Sequence, residues 1–173
     1  MQITIQKMET IQKNKLFCLL FVVCTMCISC NDKVEFSQYK TLKDSSWKAS
    51  KKISFNFNIT DTLSPKNLFI NIRNNSAYEF SNLYLITSLK FPDSTKVVDT
   101  LQYKMADEKG AYLGSGFSEI KENKLFYKER KVFPKSGSYA VEIFQAMRKN
   151  GEIEPLNNLK GIQDVGFSIE KIE

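Results

Sequence analysis

The stretch Ile53-Ser54-Phe55-Asn56-Phe57-Asn58-Ile59-Thr60 decides the fold, because apolar and polar residues alternate in it at every step. Side chains of a β-strand point alternately to its two faces, so a period of two residues indicates a strand with one buried face. The stretch therefore predicts a half-buried strand whose core face consists of Ile53, Phe55, Phe57 and Ile59.

Similar short apolar patterns follow this strand along the chain, separated by turn residues such as Ser64-Pro65 and Asn74-Asn75-Ser76. They predict further strands at 67–73, 83–89, 97–103, 124–133, 138–147 and 165–169. Seven or eight short strands with turns between them indicate an all-β fold. We expect an antiparallel β-sandwich, Ig-like or jelly-roll-like. The segment from Met105 to Gly110 is predicted to form one helical turn that Gly110 closes.

The N-terminus has the three parts of a secretory signal. Lys13 and Lys15 precede an apolar run from Leu16 to Ile28, and small Ser29 stands before Cys30. The run has 13 residues, whereas a membrane-spanning helix needs about 20. The ending Ile28-Ser29-Cys30 resembles a bacterial lipoprotein box, which implies cleavage before Cys30 and acylation of its sulfur. A plain secretory signal and an uncleaved anchor helix are the alternatives, and the true start is either Met1 or Met8.

These patterns predict three regions in the chain. Residues 1–29 are a lipoprotein signal peptide that is removed. Residues 30–46 are the lipidated cysteine and a tether, and residues 47–173 are the β-sandwich domain. The domain is large enough to bury a core of its own without disulfides.

Composition argues against enzyme chemistry. The chain has no histidine, which removes the commonest general base and the commonest metal ligand. All four cysteines lie at or before Cys30, so the mature domain has no disulfide. No Asp-x-Asp-x-Asp calcium loop is present. We therefore expect no enzyme activity, no catalytic residue, no metal and no cofactor.

The net charge of the whole chain is +6. Removal of residues 1–29 takes away Lys7, Lys13, Lys15 and Glu9, which leaves 22 basic and 18 acidic residues and a net charge of +4. The densest basic stretch runs from Lys121 to Lys135 with aromatic residues among the lysines. A nucleic-acid surface would have this composition, but an edge strand protected by lysine accounts for it in an exported protein. No nucleic-acid partner is expected.

Two surface features leave alternatives open. Tyr78, Phe80 and Tyr84 cluster around Asn82, as either a partner-contact patch or the edge of the sandwich. Three Asp-Ser/Thr segments begin at Asp61, Asp93 and Asp99 and resemble O-glycosylation sequons of Bacteroidota. Such an Asp also closes turns through its own side chain.

Taken in order, the landmarks of residues 30–170 resemble the gliding motility lipoprotein GldH family of Bacteroidota. The motifs that carry the resemblance are Cys30, Tyr39, Trp47, Asp61-Thr62, Ile72-Arg73-Asn74, Tyr78, Asn82-Leu83-Tyr84-Leu85, Asp99-Thr100, Tyr112-Leu113-Gly114-Ser115-Gly116, Gly137-Ser138-Tyr139, Gln145-Ala146-Met147-Arg148 and Asp164-Val165-Gly166. Tyr112 stands where Trp is expected, and Glu79-Phe80 replaces an expected Pro-Tyr.

The resemblance implies an outer-membrane lipoprotein that gliding motility requires and that is linked to the type IX secretion machinery. It implies attachment to the membrane through lipid on Cys30 and contacts with other envelope proteins of that machinery. It implies neither a catalytic site nor a small-molecule substrate. The rival interpretation is a surface lipoprotein that binds glycan through one face of the β-sandwich.

Overall fold

The computed structural model describes residues 33–116 and 119–172. The predicted signal peptide and Cys30 lie outside this range. The described residues form ten β-strands, of which the shortest have three residues, and a 3₁₀ turn at Lys43–Ser45. The strands are β1 (Val34–Thr41), β2 (Ser46–Lys48), β3 (Ile53–Ile59), β4 (Lys66–Asn74), β5 (Asn82–Lys90), β6 (Lys96–Lys104), β7 (Lys121–Lys131), β8 (Gly137–Gln145), β9 (Asn158–Lys160) and β10 (Ile162–Lys171).

Two four-stranded sheets make up most of the fold. The first sheet has the strand order β1-β10-β4-β7, and the second has the order β3-β8-β5-β6. Strands β2 and β9 form a separate two-stranded ribbon. All neighbouring strands are antiparallel. The predicted all-β antiparallel sandwich is therefore confirmed.

The stretch quoted first forms β3 and lies as predicted. It pairs with β8 without a register shift, from Ile53 opposite Ile143 to Ile59 opposite Gly137. All four residues of its predicted core face are buried. The same rule holds for β5, where the buried residues are Leu83, Leu85, Thr87 and Leu89. Strict alternation thus identified both the strands and their inward faces.

Phe57 is the centre of an aromatic cluster between the two sheets. Its ring centroid lies 5.5 Å from that of Phe167 on β10 and 5.8 Å from that of Tyr139 on β8. Phe36 and Phe133 lie 5.6 and 6.0 Å away. These separations are in the range where aromatic pairs attract each other beyond their burial. One ring therefore contacts strands of both sheets.

The predicted tether of residues 30–46 does not extend through residues 34–41, which form β1 and pair with β10. A register shift between Val34 and Phe36 interrupts the strand. Phe36 contacts the aromatic core, whereas Tyr39 packs on Gly166 and the network of the first sheet. The other six residues of this edge strand are exposed. No alternating pattern remains in the sequence, and this is why the strand escaped prediction.

The segment from Met105 to Gly110 is not helical, contrary to the prediction. Ala106 forms an antiparallel bridge with Tyr112. The carboxylate of Asp107 accepts hydrogen bonds from the backbone N–H groups of Lys109 and Ala111, at 2.9 and 2.8 Å. An aspartate that caps a turn in this way competes with helix formation. Gly110 closes the turn with a φ of 82°.

The Asp-Ser/Thr segments behave in two ways. The carboxylate of Asp61 accepts hydrogen bonds from the backbone N–H groups of Leu63 and Ser64, and that of Asp93 accepts one from Thr95. Both aspartates close turns, as their sequence indicated. Asp99 does not, because it lies inside β6 and contacts Tyr127 and Lys128 of β7.

The basic stretch from Lys121 to Lys135 contains β7, which lies at the edge of the first sheet. Lys124 pairs with Glu170 at 2.6 Å, and Lys128 pairs with Asp99 at 2.9 Å. The interpretation as a lysine-protected edge strand is therefore confirmed.

Removal of the Phe57 ring tests the role of the aromatic cluster. We expect Phe57→Ala to lower the free energy of unfolding by about 3–5 kcal/mol, because removal of a buried ring leaves a cavity. Phe126→Ala is the control, since Phe126 is 54% exposed and its loss should cost about 1 kcal/mol. Urea unfolding of the chain without residues 1–29 measures both. Equal losses would contradict the central role of Phe57.

Candidate functional site

Cys30, the predicted lipid attachment site, lies outside the described residues. The described chain begins at Lys33, and β1 begins at Val34. Cys30 therefore precedes the first strand of the fold by four positions. Within the described residues, no helix is long and apolar enough to cross a membrane.

One residue of the predicted contact patch, Tyr78, is not accessible to a partner. Tyr78 is fully buried, and its hydroxyl donates a 2.6 Å hydrogen bond to the backbone oxygen of Asn82. Its ring packs against that of Phe80, with a centroid distance of 5.8 Å. Its backbone oxygen accepts a hydrogen bond from the Tyr112 hydroxyl. Tyr78 therefore holds the loop before β5 in place.

The other members of the patch are half-buried and lie closer to solvent. Asn82 and Tyr84 are two positions apart on β5 and share its outward face with Ile86. Tyr84 and Ile86 line an open groove of about 320 Å³ on the outer side of the second sheet, together with Thr100, Ala146 and Arg148. This groove has a mainly apolar lining with one guanidinium, and Tyr84 is the member of the predicted patch that a partner in the groove would contact.

A polar network crosses the outer face of the first sheet. The guanidinium of Arg73 on β4 donates to Glu122 on β7 at 2.9 Å, and the hydroxyl of Tyr39 on β1 donates to the same carboxylate at 2.7 Å. The guanidinium carbon of Arg73 also lies 4.4 Å from the centroid of the Tyr39 ring. The network therefore links strands β1, β4 and β7, and Asp164 of β10 lies 3.8 Å from Arg73.

The network sets the protonation states of its members. Burial raises the pKa of Glu122, but hydrogen bonds from Tyr39 and Arg73 outweigh it, and the net pKa is lowered. Burial and the hydrogen bond to Glu122 raise the pKa of Tyr39 to about 12. At neutral pH the carboxylate is therefore charged and the phenol is a donor. This arrangement stabilises the sheet and leaves no group poised for proton transfer.

Sequence analysis missed this network because its members are far apart in the chain. Tyr39 and Glu122 are 83 positions apart, and Arg73 and Glu122 are 49 positions apart. Tyr39, Arg73 and Asp164 do appear in the motifs that carried the family resemblance. In the described part of the chain, no group of three or more His, Cys, Asp and Glu side chains could hold a metal ion.

A buried lysine secures the start of β1. The side chain of Lys66 is 1% exposed, and its ammonium contacts Glu35 at 2.8 Å and Asp61 at 3.3 Å. Burial lowers the pKa of Lys66, but the two carboxylates outweigh this and the net pKa is raised. A buried charge needs such partners. This ion-pair cluster fixes β1 to the loop before β4, close to the end of the chain that leads to Cys30.

The described residues thus form a β-sandwich, and its first strand begins four positions after Cys30, the predicted lipid attachment site. A sequence model of the GldH lipoprotein family matches residues 34–169. The chain is 46% identical over 143 residues to the gliding motility lipoprotein GldH homolog of Christiangramia forsetii, covering 83% of this chain and 87% of that protein. It is 40% identical over 153 residues to gliding motility lipoprotein GldH of Flavobacterium johnsoniae, covering 88% and 94%. The chain belongs to the GldH lipoprotein family, and the predicted resemblance is confirmed.

Among solved structures, the fold is matched to the crystal structure of the infectious bursal disease virus VP2 subviral particle. The match has a TM-score of 0.38 and 14% sequence identity, and covers 80% of this chain and 33% of that chain. A score this low carries no conclusion about shared architecture or function.

The network predicts a pH-dependent effect for Tyr39→Phe. The lowered pKa of Glu122 contributes stability above its unfolded pKa of about 4.3, and this is lost as the pH falls through the lower folded value. Removing the hydroxyl should raise the folded pKa and cost about 1 kcal/mol at pH 7 and less at pH 3, because the half-exposed carboxylate is screened by solvent.

Tyr103→Phe is the control, since its hydroxyl donates to the backbone oxygen of Phe126 and not to a carboxylate. Its cost should be the same at both pH values. Urea unfolding at pH 7 and pH 3 measures the difference, and a pH-independent loss in Tyr39→Phe would rule out the assignment.

Two glycines that share the same φ provide a test of the close contact between Gly161 and the backbone of Tyr78. Gly161 and Gly151 both have a φ of 82°. A Cβ on Gly161 would overlap the backbone nitrogen of Tyr78, whereas one on Gly151 meets nothing within 4 Å. Gly151→Ala should therefore cost only the backbone penalty of about 1 kcal/mol.

Gly161→Ala adds the overlap to that penalty and should cost about 2 kcal/mol more than Gly151→Ala. Thermal unfolding of both variants measures the difference. Equal melting temperatures would contradict this, because they would show that the loop carrying Tyr78 moves aside with no loss of stability.

Proposed function

We propose that the mature chain begins at an acylated Cys30 and works as a lipid-anchored, non-enzymatic component of the gliding motility apparatus. The observation that carries the proposal is the family membership, together with the two relatives, both gliding motility lipoproteins by name. The lipoprotein box ending at Cys30 supports it independently. The proposal places the protein at the outer membrane, in contact with envelope proteins of gliding and of the type IX secretion machinery.

The mechanism is physical and depends on confinement. Two or more acyl chains hold a protein on a bilayer stably, since each buried CH₂ contributes about 0.8 kcal/mol. A tethered domain meets partners in the same membrane at a high effective concentration, so a modest interface suffices. The groove lined by Tyr84 and Arg148 is the surface we assign to such a partner. Glycan binding, the rival function, would use the same groove, with Tyr84 as the stacking ring.

The chemistry of the described residues supports a structural role. The carboxylates of Glu122, Glu35 and Asp99 form ion pairs with Arg73, Lys66 and Lys128, and these pairs hold strands together. The chain contains no histidine. An assembly component needs a stable surface and an anchor, and the sandwich and Cys30 supply these two properties.

Cys30→Ala tests the anchor, and Cys27→Ala is its matched control in the same segment. We expect Cys30→Ala to abolish incorporation of radiolabelled palmitate, to release a folded protein from the membrane fraction and to stop colony spreading on agar. Cys27→Ala should be labelled, membrane-bound and motile, because that position is removed with the signal peptide. Labelling, fractionation and spreading are measured on the same cells.

The folded domain itself should be unaffected by Cys30→Ala, since the residue precedes β1. An unchanged melting temperature of the released protein checks this. Normal gliding by cells that release the protein would overturn the proposal, as would palmitate labelling of the Cys30→Ala protein.

A further inference from the structure

One end of the sandwich lies next to the chain that leads to Cys30. We call it the anchor-side end: the start of β1, the end of β10 and the loops 60–65, 91–95 and 132–136. In the first sheet Val34 pairs with Glu170, Lys171 with Lys66, and Lys66 with Lys131, which places these strand ends in one row.

The loops of the second sheet reach the same end. Loop 60–65 joins β3 to β4, and loop 132–136 joins β7 to β8. Lys135 and Asp93 form an ion pair of 2.5 Å that connects loop 132–136 to the turn after β5. A shallow cavity of about 240 Å³ lined by residues from β1, β3, β4 and β10 confirms that the two sheets meet here.

The charge of this end is mainly positive and unneutralised. Four of its acidic side chains are already held in ion pairs by lysines, namely Glu35, Asp61, Asp93 and Glu170. Five basic side chains here form no ion pair with another described residue, namely Lys90, Lys96, Arg130, Lys131 and Lys171. Among the described residues of this end, Glu129 is the acidic residue outside those pairs. The net field therefore favours an anionic surface.

An apolar side chain projects from the same end. Leu63 is 85% exposed. Its loop is not loose, because the carboxylate of Asp61 accepts hydrogen bonds from the backbone of Leu63 and Ser64, at 2.9 and 3.1 Å. Val34 and Val132, 38% and 44% exposed, lie at the same end. An exposed leucine on a fixed turn, at the same end of the sandwich as several unpaired lysines, has the composition of a membrane-interface contact.

The covalent chain limits how far this end can move from the leaflet. Four residue steps separate Cys30 from Val34, and a fully extended chain spans at most about 3.6 Å per residue. The start of β1 is therefore within about 14 Å of an acylated sulfur. The headgroup layer on each side of a bilayer is about 5–8 Å thick. The anchor-side end is thus the part of the fold that the linker keeps within reach of headgroups.

We propose that the anchor-side end is a lipid-binding surface. Its lysines and Arg130 bind the phosphates of anionic headgroups, and Leu63 enters the interfacial region of the leaflet that holds the acyl chains of Cys30. This inference rests on the proposed acylation of Cys30 and adds a fixed orientation to it: the domain stands on this end. The occupant is the leaflet itself, because the short link and the charge both point to it.

The chain offers a clean labelling experiment. All cysteines other than Cys30 belong to the signal peptide, and acylation blocks Cys30. A cysteine introduced by Leu63→Cys is therefore the only free thiol of the mature lipoprotein. Ile153→Cys is the matched control, since Ile153 is also 85% exposed and follows β8 at the opposite end of the sandwich.

Both lipidated variants, labelled with an environment-sensitive fluorophore, are reconstituted into vesicles of phosphatidylethanolamine and phosphatidylglycerol. We expect nitroxide-labelled lipid to quench the label at position 63 roughly threefold more than the label at position 153. Equal quenching at the two positions would overturn the inference. So would a label at position 63 that is shielded from an aqueous quencher but not reached by the lipid quencher, since this indicates a protein contact.

A charge test uses the two ends of one strand. Lys96 and Lys104 are the first and last residues of β6, and both are exposed. Lys96→Glu with Lys171→Glu should reduce the lipid quenching at position 63 roughly twofold on anionic vesicles. Lys104→Glu with Lys109→Glu should leave it unchanged. Equal effects of the two pairs would remove the electrostatic part of the inference.

Flotation of the same samples separates the two proposals. Protein that fails to float with vesicles is not acylated, and this result overturns the proposed anchor. Protein that floats while its labels at positions 63 and 153 behave alike leaves the anchor intact and overturns the lipid-binding surface.

Discussion

The contact of Phe57 with Phe167 is the interaction on which the rest of the structure depends. Phe57 belongs to the second sheet and Phe167 to the first, and their ring centroids lie 5.5 Å apart. Every cysteine of the chain lies at or before Cys30, so no disulfide can replace this packing in the folded domain. Apolar burial between the sheets must therefore provide the stability that crosslinks give to many small exported domains.

This packing also ties the first strand to the body of the fold. β1 is an edge strand with six exposed residues, and such a strand would be weakly held by its hydrogen bonds alone. Phe36 packs on Phe57, Tyr39 joins Arg73 and Glu122, and Glu35 pairs with buried Lys66. Three contacts of different chemistry hold the strand that connects the domain to Cys30. The lipid that we propose on Cys30 would therefore be joined to a strand that side-chain contacts hold firmly on the domain.

The sequence predicted those parts of the fold in which one face of a strand is buried and the other is exposed to solvent. β3 and β5 were found with their core residues because their alternation is unbroken. β1 was missed because its register shift and exposure remove the alternation. Burial of Lys66 could not be foreseen, since its partner Glu35 is 31 positions away. Tyr78, placed by its sequence neighbours in a surface patch, proved to be interior because its hydroxyl is satisfied by the backbone of Asn82.

The two surfaces to which we assign binding lie at different positions along the strands. β5 ends at Lys90 on the anchor-side end, and Tyr84 lies six residues back along the same strand. At about 3.4 Å per residue, the Tyr84 groove is about 20 Å from that end. A domain that stands on its anchor-side end therefore presents the groove well above the headgroups. Lipid contact and partner contact then use different parts of the sandwich, and neither has to displace the other.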